Sequence, residues 1–203
     1  MALINTNRQW IYLLEPHTAS RSTSIALQKL GFISVGGWHA KLAPLHEAGM
    51  IPDPTDYEVG VTVRNPIDVL ITKWLKGRPK KISLWDWMRE TDPVYFRHPL
   101  MGLWKTGTTF CWFEHLTEDL QYVFNNPTIT VDFDPTHKCR EDASLAKRPW
   151  WKYVQEDHRV LDKALRMYGD FMKVFGYHYA EWNGRPHMFI DEDTRNKLRR
   201  QIR

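Results

Sequence analysis

Residues 16–23 read Pro16-His17-Thr18-Ala19-Ser20-Arg21-Ser22-Thr23 and lie between an apolar run and a helical stripe. A polar turn that leaves a strand and opens a helix is suited to holding an anion. The N–H groups at a helix start point outward, and the helix dipole adds favourable potential. Ser20, Ser22 and Thr23 bring hydroxyl donors, and Arg21 brings a planar cationic fork. A polar helix cap would look the same from this segment alone. The absence of GxxxxGK[ST] argues against an ordinary ATP or GTP loop. A second constellation spans residues 63–72, Val63-Arg64-Asn65-Pro66-Ile67-Asp68-Val69-Leu70-Ile71-Thr72. It puts an arginine at a strand end and a threonine about two turns into the next helix. With a helix start near Pro66, Arg64 and Thr72 would reach one anion beside that helix. The alternative is a surface arginine followed by an Asn-Pro-x-Asp cap.

In these two segments the chain resembles the PAPS-dependent sulfotransferase family, whose donor is 3′-phosphoadenosine 5′-phosphosulfate. The family's first signature is roughly P-K-T-G/A-S/T-T/R-S, and residues 16–22 follow it. Its second, V-R-N-P-x-D-V-x-x-S, runs in register with residues 63–72. Phe113-Glu114-His115-Leu116-Thr117-Glu118-Asp119-Leu120 is similar to an F-E-D-L-x-x-D-L segment. Residues 148–154, 168–171 and 175–177 are similar to the family's C-terminal pattern. The matches cover roughly residues 10–179, in family order.

The resemblance implies a P-loop-like, three-layer α/β fold and sulfuryl transfer to a hydroxyl or amine of a carbohydrate or small-molecule acceptor. PAPS would be the donor and adenosine 3′,5′-bisphosphate (PAP) the product, without a metal. The 5′-phosphosulfate would lie on His17, Thr18, Ala19, Ser20, Arg21, Ser22 and Thr23. The 3′-phosphate would lie on Arg64 and Thr72, with threonine replacing the usual serine. The basic segment 138–152 would fold over the nucleotide, with Arg148 as a contact. The chain departs from the pattern at His17, which stands where the family has a lysine at the bridging oxygen. Protonated His17 and Arg21 are candidates to share that role. A binding module without catalysis is the alternative that this departure leaves open; a nucleotide kinase would need a Walker lysine and a magnesium-binding acid.

An acceptor hydroxyl needs a general base. His39 follows the second strand expected here, next to the first loop if the sheet is parallel, and ligands of open α/β sheets lie at strand C-terminal ends. His46, Glu47, His98 and His115 are weaker candidates. Trp38, Trp74, Trp150 and Trp151 have rings suited to stacking, or to the core. Lys105-Thr106-Gly107-Thr108-Thr109 spells the family loop closely, yet it precedes a strand-like run and opens no helix.

These groups need a scaffold. Apolar runs predict strands at residues 9–15, 32–38, 57–63, 110–114 and 128–133. Helical stripes or caps predict helices beginning after residue 23, at 66–76, 84–90 and 117–124, and a long one at 156–175 closed by Gly176. Strands alternating with helices predict an α/β fold with a mostly parallel central sheet flanked by helices. No repeat or linker is evident, so residues 1–182 read as one domain with a basic tail at 183–203.

Composition is consistent with this. The chain has 203 residues, 42% hydrophobic and 26% charged, with a formal charge of +4 and two cysteines, Cys111 and Cys139. Two cysteines form no disulfide framework, which points to a reducing, cytoplasmic setting. No leader or run of about 20 apolar residues is seen, so no membrane partner is expected. The charge is too small to argue for nucleic acid.

Overall fold

The computed structural model describes residues 1–37, 41–77, 82–92, 108–133 and 149–199. The chain packs as two compact units. The first is built from Met1–Arg64, Gly102–Asp134 and Arg195–Arg203; the second from Asn65–Met101 and Pro135–Thr194.

The first unit holds a five-stranded sheet of β1 (Ala2–Asn5), β2 (Trp10–Leu13), β3 (Ile33–Val35), β4 (Glu58–Val63) and β5 (Thr109–Trp112), ordered β3-β1-β2-β4-β5. The sheet is mixed. β2 pairs parallel with β4, and β4 with β5, while β1 runs antiparallel to both β2 and β3. This departs from the expected mostly parallel sheet at one strand, β1. Its cause is the hairpin at residues 5–10. Asn5 Oδ1 accepts the Arg8 N–H at 3.0 Å, the Gln9 N–H reaches the Thr6 carbonyl at 3.3 Å, and Gln9 takes φ 55°. The turn contains neither glycine nor proline; its turn-forming residues are asparagines, Asn5 and Asn7.

Two helices, α1 (Ser20–Gln28) and α2 (Leu42–Glu47), follow β2 and β3. A helix over Leu116–Val123 follows β5, by way of a 3-10 turn at Phe113–His115. One apolar cluster joins Leu3, Trp10, Tyr12 and Cys111 of the sheet to Ala26 and Leu27 of α1, and to Leu116, Leu120 and Val123. Trp10 and Phe32 both meet Phe124 edge-on, with ring centroids at 4.9 and 5.5 Å. The strand expected at 128–133 does not form. Ile129 and Val131 are buried, but their backbone groups bond to side chains: Gln121 Nε2 donates to the Ile129 carbonyl at 2.8 Å, and Thr117 Oγ1 accepts the Val131 N–H at 3.2 Å. Gly60 on β4 is needed for a close approach, because a Cβ there would stand 2.7 Å from a ring carbon of Tyr12.

The second unit contains α3 (Pro66–Gly77) and α4 (Leu84–Glu90) and, after the Leu116–Val123 helix (α5) of the first unit, α6 (Trp150–Glu156) and α7 (His158–Val174). It also holds a two-stranded antiparallel sheet of β6 (Tyr177–Trp182) and β7 (Arg185–Ile190). Lys163 of α7 donates to the Met88 carbonyl at 2.6 Å, and Arg159 lies 4.8 Å over the Trp85 ring. Gly176, at φ 68°, turns the chain from α7 into β6. Residues 183–203, read as a tail, contain β7 and the helix α8 (Glu192–Arg199). No helix among the described residues is long and apolar enough to cross a membrane.

Candidate functional site

The loop between β2 and α1 is held in an unusual backbone conformation. His17 takes φ 65° and Ala19 takes φ 61°, both in the left-handed region that side chains with a Cβ disfavour. Such strain persists only where surrounding structure enforces it, and it clusters at ligand sites. Two hydroxyls do the enforcing. Thr18 Oγ1 donates to the Glu15 carbonyl at 2.8 Å, and Ser20 Oγ donates to the same carbonyl. These hydroxyls were candidate phosphate donors; in this structure they close the loop instead. Backbone in this conformation can turn successive N–H groups to one side, a concavity that suits an anion. Ala19 then starts α1 without a side-chain cap, so the opening of that helix keeps its anion-attracting potential. Thr23 Oγ1 is fully buried within α1 and has no hydrogen-bond partner among the described residues.

Arg64 closes the arrangement from the neighbouring strand. β4 lies beside β2 in parallel register, Leu13 against Val61, so both strands end on the same side of the sheet. Arg64 follows β4 directly and is half-buried. Its Nη1 donates to the His17 carbonyl at 2.7 Å, and its guanidinium carbon stands 4.1 Å from the centroid of the Phe113 ring. The strand ends thus bring a fixed cation against the loop that the sequence singled out. Arg21 is exposed on the first turn of α1.

Thr72 lies in the second unit on α3, where its hydroxyl donates to the Asp68 carbonyl at 2.8 Å. Asn65 caps that helix, with Oδ1 accepting the Ile67 N–H at 2.9 Å. The cap reading therefore holds for Asn65, while Arg64 is no surface side chain. His39, Arg148, His98 and Trp38 lie outside the described residues, as do residues 105–107. The adjacency that favoured His39 is absent: β1 intervenes between β2 and β3, which sets their ends about 10 Å apart instead of about 5 Å. His46 is exposed on α2 with Glu47, and His115 Nδ1 stands 3.3 Å from Glu118 Oε2. Trp74 is buried edge-on to Tyr153, and Trp151 lies under Arg185 at 5.2 Å. Thr108 and Thr109 are buried at the start of β5.

Two residues at this site were not singled out from sequence. Phe113 sits in a recognised segment, but no spacing rule announces that its ring will face an arginine 49 positions earlier. Glu15 lies two residues beyond the end of β2, and burial pushes its carboxyl above its ordinary value, against weaker opposing effects of the Met1 amino group and Lys41. The folded chain therefore holds this proton more tightly than the unfolded chain. Stability is greatest while both states are protonated, and declines as pH rises through the carboxylate range. Glu15→Gln should raise Tm at pH 7, and the gain should disappear below about pH 4. Thermal melts of both proteins across pH 3–8 check this, and a pH-independent difference would refute it. No family model, no curated protein and no solved structure matches the chain.

Proposed function

We propose that the protein is a sulfotransferase that carries a sulfuryl group from PAPS to a hydroxyl or amine of a carbohydrate or small molecule. The observation that carries this reading is the 2.7 Å contact between Arg64 Nη1 and the His17 carbonyl. It joins two segments 47 residues apart, each of which resembles a phosphate-binding signature of that family. A doubly phosphorylated adenosine needs anion sites at both ends, and this contact gives the two candidate sites a common edge.

In the proposed reaction the acceptor oxygen or nitrogen forms a bond to sulfur. The bond from sulfur to the 5′-phosphate oxygen breaks, and its electron pair leaves with PAP. The acceptor's proton passes to a general base. Positioning and electrostatics supply most of the rate in such in-line transfers. The residue 17–23 backbone receives the 5′-phosphosulfate, and Arg64 receives the 3′-phosphate. Protonated His17 and Arg21 share the charge on the leaving oxygen. His39 remains the candidate base.

Titration with adenosine 3′,5′-bisphosphate and, separately, with ATP tests the reading. The bisphosphate should raise Tm and bind in the micromolar range or tighter, and ATP should do neither. Stabilisation by ATP alone would sink it. Tight bisphosphate binding with no labelled product from any acceptor given PAPS would instead mark a binding module that lacks catalysis.

A further inference from the structure

We infer that Phe113 is a positioning residue for Arg64, and that the arginines of α8 hold it there. The inference rests on the proposed role of Arg64 at the 3′-phosphate. A guanidinium at the end of a flexible stem has many rotamers, and a bond from one nitrogen does not by itself fix its plane. Arg64 has a second constraint: the Phe113 ring face lies 4.1 Å from its central carbon. Together the ring and the His17 carbonyl define both the position and the tilt of the fork. The ring leaves the guanidinium its charge and its N–H groups, because a π face is a weak partner that competes poorly with phosphate.

Phe113 is itself held from behind. It follows Trp112, the last residue of β5, whose N–H donates to Asp119 Oδ2 at 2.7 Å. Asp119 is completely buried, and its Oδ1 accepts from Arg195 Nε at 3.1 Å, Arg195 Nη2 at 2.7 Å and Arg199 Nη1 at 3.2 Å. The strand exit that presents Phe113 is therefore pinned by one carboxylate, and that carboxylate is fixed by two arginines from α8. Phe133 adds a tilted ring contact to Phe113 at 5.1 Å. The half-buried ring has room for conservative exchange.

The test compares wild type, Phe113→Leu, Phe113→Tyr and Arg199→Ala. Binding of adenosine 3′,5′-bisphosphate and of adenosine 5′-monophosphate is measured by calorimetry, with Tm recorded for each variant. Phe113→Leu should weaken the bisphosphate by about three- to thirty-fold, the range of a desolvated cation–π contact. It should leave the monophosphate, which has no 3′ group, unchanged. Phe113→Tyr keeps the π face and should restore bisphosphate affinity. Arg199→Ala should produce a smaller loss in the same direction. Equal weakening of both nucleotides by Phe113→Leu, no weakening of either, or failure of Phe113→Tyr to restore affinity would overturn the positioning role. Wild type that binds no bisphosphate would overturn the sulfotransferase reading and this inference with it, whereas a wild type that binds it beside an unaffected Phe113→Leu overturns the inference alone.

Discussion

Arg64→Ala should weaken adenosine 3′,5′-bisphosphate by about 2–5 kcal/mol, because it removes the charged partner from a phosphate held out of water. At about 1.4 kcal/mol per decade, the upper end is more than a thousand-fold in Kd. The loss should be specific. Arg64 stands between the His17 carbonyl and the Phe113 ring and is not part of the apolar cluster, which its removal leaves in place. Arg64→Lys should recover only part of the affinity. A lysine keeps the charge but has no planar fork to satisfy the carbonyl, the ring and a phosphate together. Calorimetric titration decides the matter, and an unchanged dissociation constant in Arg64→Ala would remove this residue from the site.

Asp119→Ala should cost about 3–5 kcal/mol of folding stability, the penalty for breaking a buried ion pair from one side. The carboxylate is fully buried and Arg195 is 4% exposed, so neither charge has water to fall back on. The substitution takes both Asp119 bonds from the buried Arg195, which keeps a 3.2 Å contact with the exposed Glu118, and it removes the Asp119 acceptor from the Trp112 N–H. Arg199→Ala should be milder, since Arg195 keeps both of its bonds to Asp119. Urea denaturation followed by tryptophan fluorescence gives both values. A loss below about 1 kcal/mol for Asp119→Ala would show the cluster to be peripheral to stability.

What the sequence made legible was local. Leu84–Glu90 has the helical bounds expected of it, and the stripe from Val160 to Met172 is buried along α7 as its period requires. The residue 16–23 turn and Arg64 stood out because anion chemistry would constrain residue types within a few positions, and the structure brings the two into contact. The antiparallel β1 was not legible, because its four residues are too few to show alternation and its turn is set by one asparagine side chain. The missing strand at 128–133 failed for a related reason. Alternating Ile129 and Val131 announced a half-buried extended segment, and it is one, but sequence alone could not show that Gln121 and Thr117 would satisfy its backbone. Phe113 under Arg64, and Asp119 under Arg195, are pairings between distant residues, and single-sequence patterns hold no information on those.

The buried Asp119 has a consequence for how the protein is made. Its partners Arg195 and Arg199 lie 76 and 80 residues later in the chain. A nascent polypeptide emerging from the ribosome would display β1 to β5 with that carboxylate still hydrated and unclaimed. The first unit can therefore reach its final state only when translation has passed residue 199 and α8 has left the exit tunnel. Until then a partly assembled sheet would be exposed to chaperones or to aggregation.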